Sequence, residues 1–162
     1  GDAKGRWIDD ALASMVKSNR IGSEVLFARG ATACTDVTGF GLLGHLVEMA
    51  RPSEVDVELD LNALPLLDGA LDCIRNGIFS SLQPQNVRLR RAIRADVNGG
   101  RDSELLPLIF DPQTAGGLLA SVPEDEAEGC VDALRKSGYP TAQIVGRILT
   151  QSNQLEPITI IE

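Results

Sequence analysis

Apolar residues recur at intervals of three and four along much of the chain, which is the spacing of one face of an α-helix. In the first such segment the apolar positions are Ile8, Ala11, Leu12, Met15 and Val16. Glycine stops and helix-starting residues bound the later segments. Together these signals predict helices over residues 8–16, 21–30, 39–51, 67–77, 105–109 and 123–138.

A strict alternation of apolar and acidic residues predicts one strand clearly. Asp56, Glu58 and Asp60 alternate with Val55, Val57, Leu59 and Leu61, so one face of this strand should be buried and the other should be wet. Further strands are predicted over residues 31–34, 118–122, 143–149 and 157–161. Helices and strands therefore follow one another in mixed order.

The size of the chain allows a substantial core. A chain of 162 residues buries roughly 70% of the surface of its unfolded form, and a single domain over residues 1–162 is the default expectation. Hydrophobic residues make up 43% of the chain but aromatic residues only 4%, so the core should consist mainly of Leu, Ile, Val and Ala. We expect neither a secretory signal nor a membrane contact, because the start lacks an apolar run and no long uncharged stretch surrounds the main motif.

The charge balance disfavours nucleic acid as a partner. The net charge is −8 and the sequence pI is near 4.6, whereas nucleic-acid phosphates require a basic surface. The local exception is a stretch in which a single acid, Asp96, accompanies Arg88, Arg90, Arg91, Arg94 and Arg101. This stretch could contact an anion, but we favour a solvated helical face whose buried side is Val87, Leu89 and Ile93. A turn is predicted at Asn98-Gly99-Gly100.

The cysteines Cys34, Cys73 and Cys130 are odd in number and widely separated. Such a pattern is typical of buried thiols in a reducing cytoplasm and not of a disulfide framework or a zinc site. Cys34 lies two positions before Asp36, so alternation along a strand would place both side chains on the same side. A catalytic thiol is the alternative for Cys34, and we interpret it as a packing residue.

The segment Asp36-Val37-Thr38-Gly39-Phe40-Gly41-Leu42-Leu43-Gly44-His45 combines a carboxylate, a hydroxyl and glycines where a predicted helix begins. A helix start presents backbone N–H groups and the positive end of the helix dipole to an anion. Gly39 and Gly41 would let the backbone approach a ligand, Thr38 is suited to cap the helix, and Asp36 is a suitable ligand for Mg²⁺. An ordinary capped turn is the alternative. We expect His45 to be a hydrogen-bonded or interface residue, with a position near substrate as the alternative.

A second glycine-containing loop, Phe110-Asp111-Pro112-Gln113-Thr114-Ala115-Gly116-Gly117, leads into the predicted strand at 118–122. Asp111 could simply form a turn before Pro112, or it could contact a ligand.

The strings ACTDVTGFGLLGHLVEMA and DPQTAGGLL resemble the C-terminal half of selenophosphate synthetase (selenide, water dikinase). More distantly, the chain is similar to the C-terminal domain shared by the aminoimidazole ribonucleotide synthetase superfamily. Two departures are visible. Ala115 stands where the second motif often has Ser, and Ser80-Ser81 stands where many relatives have a Gly-Gly-Thr loop before an Asn, so the match at Asn86 is weak.

This resemblance implies an α+β fold with a mixed, mainly antiparallel sheet covered by helices, and a place as the C-terminal domain of a longer enzyme. The enzyme would convert ATP, selenide and water into selenophosphate, AMP and orthophosphate, with Mg²⁺ bridging the nucleotide phosphates. Its nucleophilic cysteine or selenocysteine would lie in the N-terminal half, so the resemblance implies no catalytic residue in this chain and no activity of the chain alone. The full-length enzyme is expected to be a cytoplasmic homodimer.

By position, the resemblance assigns Asp36 to the metal at the joint between the two halves. It assigns to the nucleotide-binding loops the residues Thr38, Gly39, Gly41, Asp111, Gln113 and Thr114. One alternative is another ATP-dependent synthetase of the superfamily, in hydrogenase maturation or purine synthesis, although the intact DPQT-Gly-Gly string disfavours it. The other alternative is a non-catalytic structural or dimerisation module.

Overall fold

The computed structural model describes residues 3–94 and 102–162, and helices and strands follow one another in mixed order. The predicted turn at Asn98-Gly99-Gly100, together with Asp96 and Arg101, lies outside the described residues. The helices are α1 (Gly5–Met15), α2 (Arg20–Ala28), α3 (Gly41–Ala50), α4 (Ala70–Arg75), α5 (Gln83–Asn86) and α6 (Ala127–Lys136). Short 3-10 segments cover Val87–Ala92, Leu106–Phe110 and Glu124–Glu126. The strands are β1 (Ala33–Asp36), β2 (Val55–Asp60), β3 (Leu118–Ser121), β4 (Gly146–Thr150) and β5 (Ile158–Ile161).

The strands form two small sheets. β1 pairs with β3 in antiparallel orientation, while β2 lies between β4, to which it is antiparallel, and β5, to which it is parallel. The expected α+β class with mixed, mainly antiparallel pairing is therefore confirmed. The strands that flank α6, β3 and β4, belong to different sheets, so α6 lies on the connection between the two sheets.

The core lies where α3 packs against the three-stranded sheet and the 3-10 segment Leu106–Phe110. Leu43, Leu59, Ile93, Ile109 and Ile158 are almost fully buried there. Aliphatic side chains dominate this cluster, as the composition predicts. Because α3 is buried on most sides, the loop that precedes it is held against the centre of the domain.

The expectation that β2 has one wet face is wrong at Asp56, which is only 3% exposed. β2 is the central strand, and Asp56 forms an ion pair with Arg94 and accepts a hydrogen bond of 2.8 Å from the Ser152 backbone N–H. Burial by itself would raise the pKa of the Asp56 carboxyl, but the hydrogen bonds from Arg94 and Ser152 and the charge of Arg94 outweigh it and lower that pKa. Asp56 is therefore buried because Arg94 and the Ser152 backbone compensate its charge.

The arginine-rich stretch forms a 3-10 segment, Val87–Ala92, and not a longer amphipathic helix. Arg88, Arg90 and Arg91 are exposed, as the solvated-face interpretation predicts. Ile93 is buried, but Val87 is 41% exposed and so does not belong to the buried side. Arg94 also departs from the prediction, since it anchors Asp56 and donates through Nε to the Glu156 backbone carbonyl.

Within residues 3–94 and 102–162, no helix combines the length and apolar character needed to cross a bilayer. The longest helix of this part is α1, which covers 11 residues.

Candidate functional site

The two glycine-containing loops lie side by side, because β1 and β3 are paired and each loop continues from one of these strands. Asp36 is opposite Leu118 in the register of the pair. Beyond the strands, the Val37 N–H donates to the Gly117 carbonyl at 2.9 Å and the Gly116 N–H donates to the Val37 carbonyl at 3.1 Å. The first loop is thus attached to the second by backbone hydrogen bonds.

Asp36 is exposed at the C-terminal end of β1, on the same face as Cys34. The strand alternation that predicts this shared side is confirmed, but the interpretation of Cys34 as a buried packing residue is wrong, because its side chain is exposed. The two residues line an open cleft of about 480 Å³ together with Asn19, Arg20, Ser23, Thr35 and Leu118. Partial burial and the negative charge of Asp36 raise the pKa of the Cys34 thiol, so the thiol is not activated for nucleophilic attack.

The Asp36 carboxylate has no hydrogen-bond or salt-bridge partner among the described residues. In the same part of the chain, no group of three or more His, Cys, Asp or Glu side chains is arranged to hold a metal ion. The Asp36 carboxylate is therefore free to bind a metal ion, but the described part of the chain supplies no cluster of further ligands around it.

Thr38 does not cap α3, so that prediction is wrong. The N-cap position is Phe40, and no side chain makes a capping hydrogen bond there. The Thr38 carbonyl instead accepts from the N–H groups of Gly41 and Gln113, each at 3.0 Å, and so ties the first loop to both α3 and the second loop.

The His45 side chain, on α3, is hydrogen-bonded to the first loop. Its Nε2 accepts a hydrogen bond of 3.0 Å from the Thr38 backbone N–H, and the Thr38 hydroxyl lies 3.2 Å from the same nitrogen. Because a backbone N–H can only donate, Nε2 is unprotonated and the ring proton is on Nδ1, which faces the Glu48 carboxylate at 3.3 Å. His45 is only 7% exposed. The expectation of a hydrogen-bonded residue is confirmed.

The two glycines of the first loop differ in their surroundings. Gly41 has a φ of 69°, and a Cβ built on it would lie 2.9 Å from the Ile109 carbonyl oxygen. Nothing lies within 4 Å of the corresponding point on Gly39. Gly41 is therefore required for the approach of the second loop, while the space beside Gly39 is open to another molecule.

Four exposed residues of the two loops have unpaired backbone N–H groups among the described residues. The N–H groups of Gly39 and Phe40 in the first loop, and of Thr114 and Ala115 in the second, have no acceptor within the described part of the chain. Free backbone N–H groups can bind anions. The sequence singles out Gly39 and Thr114, but it could not show which loop amides remain free.

Asp111 and Gln113 support one another within the second loop. The Gln113 Nε2 donates to the Asp111 carboxylate at 3.2 Å and is 3.3 Å from the Asp111 carbonyl oxygen. Burial raises the pKa of the Asp111 carboxyl, and the hydrogen bond from Gln113 offsets only part of that increase. Asp111 is thus a partly buried acid that the fold does not fully compensate.

Asn86 joins the two loops through its side chain, although the sequence match at this position is weak. Its Nδ2 donates to the Gly39 carbonyl at 2.9 Å and to the Phe110 carbonyl at 3.0 Å. Asn86 is 6% exposed, as is typical of an amide whose donors are satisfied internally. No local sequence signal predicts these long-range contacts, because the two acceptors are backbone atoms far away along the chain.

Comparisons with known proteins identify the family to which the chain is similar. A family model described as AIR synthase related protein, C-terminal domain, matches residues 8–155. The chain is 40% identical over 139 residues to the selenide, water dikinase of Caldanaerobacter subterraneus subsp. tengcongensis, covering 85% of this chain and 40% of that protein. It is 38% identical over 142 residues to the enzyme of the same name from Geobacter metallireducens, covering 88% of this chain and 40% of that protein.

A third relative extends over more of the chain. The selenide, water dikinase of Clostridium botulinum (strain Eklund 17B / Type B) is 34% identical over 156 residues, which is 94% of this chain and 43% of that protein. The chain thus spans between 40% and 43% of the length of these three relatives.

Solved structures show the same fold. The hydrogenase maturation protein HypE superposes with a TM-score of 0.58 at 20% identity, over 85% of this chain and 35% of that chain. HypE in complex with ATP superposes with a TM-score of 0.62 at 18% identity, over 91% of this chain and 38% of that chain.

Proposed function

The chain belongs to the family of AIR synthase related C-terminal domains, and from this premise we propose that it is the C-terminal domain of a selenide, water dikinase. The similarity to enzymes of that name over most of the chain supports the proposal. We propose that residues 1–162 form one domain of a longer enzyme, which converts ATP, selenide and water into selenophosphate, AMP and orthophosphate. The nucleophile would come from the N-terminal part.

The observation that carries the proposal is the exposed Asp36 carboxylate, which has no partner among the described residues and stands at the start of the first of two paired loops with free backbone amides. Mg²⁺ prefers oxygen ligands and is usually held by one or two carboxylates together with substrate phosphates and water. Asp36 fits one position of such a set. Phosphate oxygens fit the N–H groups of Gly39, Phe40, Thr114 and Ala115, which are donors without acceptors in the described residues.

In this proposal the chain contributes positioning and charge, which are the main requirements of phosphoryl transfer. Bound Mg²⁺ supplies neutralisation of the phosphate charge. Asp36 holds the metal, and the amides of the two loops orient the phosphate groups. His45 and Thr38 fix the first loop, while Asp111 and Gln113 set the shape of the second. We further propose that the complete enzyme is a cytoplasmic homodimer, as the resemblance implies.

The test uses the full-length polypeptide that contains this chain. Incubation with ATP, Mg²⁺ and selenide should yield selenophosphate, AMP and orthophosphate in equal amounts, measured by phosphorus NMR, and the reaction should depend on selenide. Nucleotide turnover that is independent of selenide would favour another ATP-dependent synthetase of the superfamily. A polypeptide that binds no nucleotide would favour a structural module.

A further inference from the structure

Asn86 lies on α5 and reaches both loops of the candidate site with one side-chain nitrogen. Its two N–H bonds point at two carbonyl oxygens, those of Gly39 and Phe110. A carboxylate or an amide oxygen in that place would face both carbonyls and be repelled. Since only a nitrogen with two donors satisfies the pair, the orientation of the Asn86 amide is fixed by its surroundings.

The hydrogen bond to Gly39 determines how the next amide is presented. The peptide group between Gly39 and Phe40 is planar and trans, since the described chain contains no cis peptide bond. In a trans peptide the C=O and the N–H point in opposite directions. The buried Asn86 side chain donates to the Gly39 carbonyl, so the Phe40 N–H points away from Asn86. The Phe40 N–H has no acceptor among the described residues.

The Gly41 N–H donates to the Thr38 carbonyl and closes the turn around this peptide group, but no hydrogen bond other than that from Asn86 is made to the group itself among the described residues. Gly39 is exposed, and no atom lies within 4 Å of the point where its Cβ would be. A glycine without neighbouring atoms has a wide range of backbone angles to choose from. Removing the Asn86 donor would therefore release the Gly39–Phe40 peptide group, whose N–H has no acceptor among the described residues.

We propose that Asn86 is a positioning residue, which fixes the Gly39–Phe40 peptide group so that the Phe40 N–H donates to a phosphate oxygen of the bound nucleotide. This inference rests on the proposed function, because it assigns a role at that same site. Asn86 itself does not touch the ligand. It acts through the loop, and its second hydrogen bond, to Phe110, keeps the start of the second loop at a constant distance from the first.

Gln83 provides a matched control on the same short helix. It is 4% exposed and, like Asn86, donates one buried side-chain amide to a backbone carbonyl, that of Pro107 at 2.8 Å. It differs in that its side chain makes no hydrogen bond to the first loop among the described residues. Gln83→Ala and Asn86→Ala therefore both remove a buried amide from α5, but only Asn86→Ala frees Gly39.

The experiment compares the full-length enzyme with its Asn86→Ala, Asn86→Ser and Gln83→Ala variants, measuring kcat and the KM for MgATP. We expect Asn86→Ala to raise KM by about tenfold, as is typical when a positioning contact is lost, and Gln83→Ala to leave KM within about twofold. Partial unfolding lowers the active fraction, and hence the apparent kcat, without changing KM. Asn86→Ser gives the same comparison if Asn86→Ala does not fold.

An equal KM in the Asn86 and Gln83 variants would overturn the positioning role while leaving the proposed function intact. If the wild-type polypeptide shows no selenide-dependent turnover, the proposed function fails. The affinity of the wild type and the variants for MgATP is then measured by calorimetry in place of KM. A selective loss of affinity on Asn86→Ala would then still support the positioning role. Absence of MgATP binding by the wild type would overturn both.

Discussion

The Nε2 atom of His45 accepts a hydrogen bond of 3.0 Å from the backbone N–H of Thr38, seven positions earlier in the chain. A buried imidazole on α3 thereby satisfies a polar group of the loop that precedes the same helix. A capping side chain would normally do this at a helix start. Here the support comes from within the helix, and no side chain caps its N-terminus.

Replacement of His45 should separate hydrogen bonding from packing. His45→Leu leaves the Thr38 N–H without an acceptor and should lower the free energy of unfolding by about 1–3 kcal/mol. In His45→Gln the side-chain oxygen can take the place of Nε2, so the loss should be smaller. Urea unfolding of both variants measures the difference. Equal destabilisation by Leu and Gln would show that the hydrogen bond contributes nothing beyond ring packing.

Asp36→Asn in the full-length enzyme should lower turnover by about hundredfold or more, because a neutral amide is a poor ligand for Mg²⁺ at a site of phosphoryl transfer. The thermal midpoint should not change, since the Asp36 carboxylate has no partner among the described residues. Asp132→Asn, an exposed acid on α6, is the control. Activity of Asp36→Asn within a few fold of wild type would show that Asp36 is not a metal ligand.

The sequence could predict most elements because they depend on local patterns. Helical spacing and the alternation of residues 55–61 place α1, α3 and β2, and the paired strands differ from prediction mainly at their ends. Strand ends depend on partners. β1 covers Ala33–Asp36 and not 31–34, because its register with β3 puts Asp36 opposite Leu118. The burial of Asp56 likewise depends on Arg94, which no local pattern reveals.

The candidate site was predictable as two loops but not in its internal connections. Motif residues indicate where glycine is needed, yet Gly41 and Gly39 look alike in the sequence. They differ in the structure, where Gly41 has a positive φ and lies against the second loop. Thr38 is a good N-cap by residue type, but its N–H and carbonyl are used in long-range hydrogen bonds. Asn86 joins the loops through backbone acceptors, which sequence motifs do not encode.

The difference between Gly41 and Gly39 can be measured directly. Gly41→Ala places a Cβ against the Ile109 carbonyl and keeps a positive φ, so it should lower the free energy of unfolding by more than about 2 kcal/mol. Gly39→Ala has open space and should change stability by less than about 1 kcal/mol. Chemical denaturation of the two variants is the test. If both lose the same stability, the second loop does not require the glycine at position 41.

The Asp56–Arg94 ion pair should affect how the free energy of unfolding decreases at acid pH. The pKa of Asp56 is lowered in the folded state, so its contribution to stability is complete above the unfolded value of about 3.9 and is lost as pH falls through the folded value. Asp56→Asn should cost about 2 kcal/mol at pH 7 and flatten the loss of stability below pH 4. Glu104→Gln breaks the exposed pair with Arg75 and should matter less. An unchanged acid limb in Asp56→Asn would contradict the assignment.

Asp111 should have the opposite effect, because burial raises the pKa of its carboxyl in the folded state. Its contribution to stability is greatest below the unfolded value of about 3.9 and is lost as pH rises through the folded value. Asp111→Asn removes this loss, so the variant should be at least as stable as wild type at pH 7, with the difference disappearing below pH 4. If Asp111 serves the nucleotide site, as we propose, the same variant should have a higher KM for MgATP. An acid that lowers stability at pH 7 is expected to serve a function. If Asp111→Asn is less stable than wild type at pH 7 and has an unchanged KM, Asp111 is an ordinary turn residue.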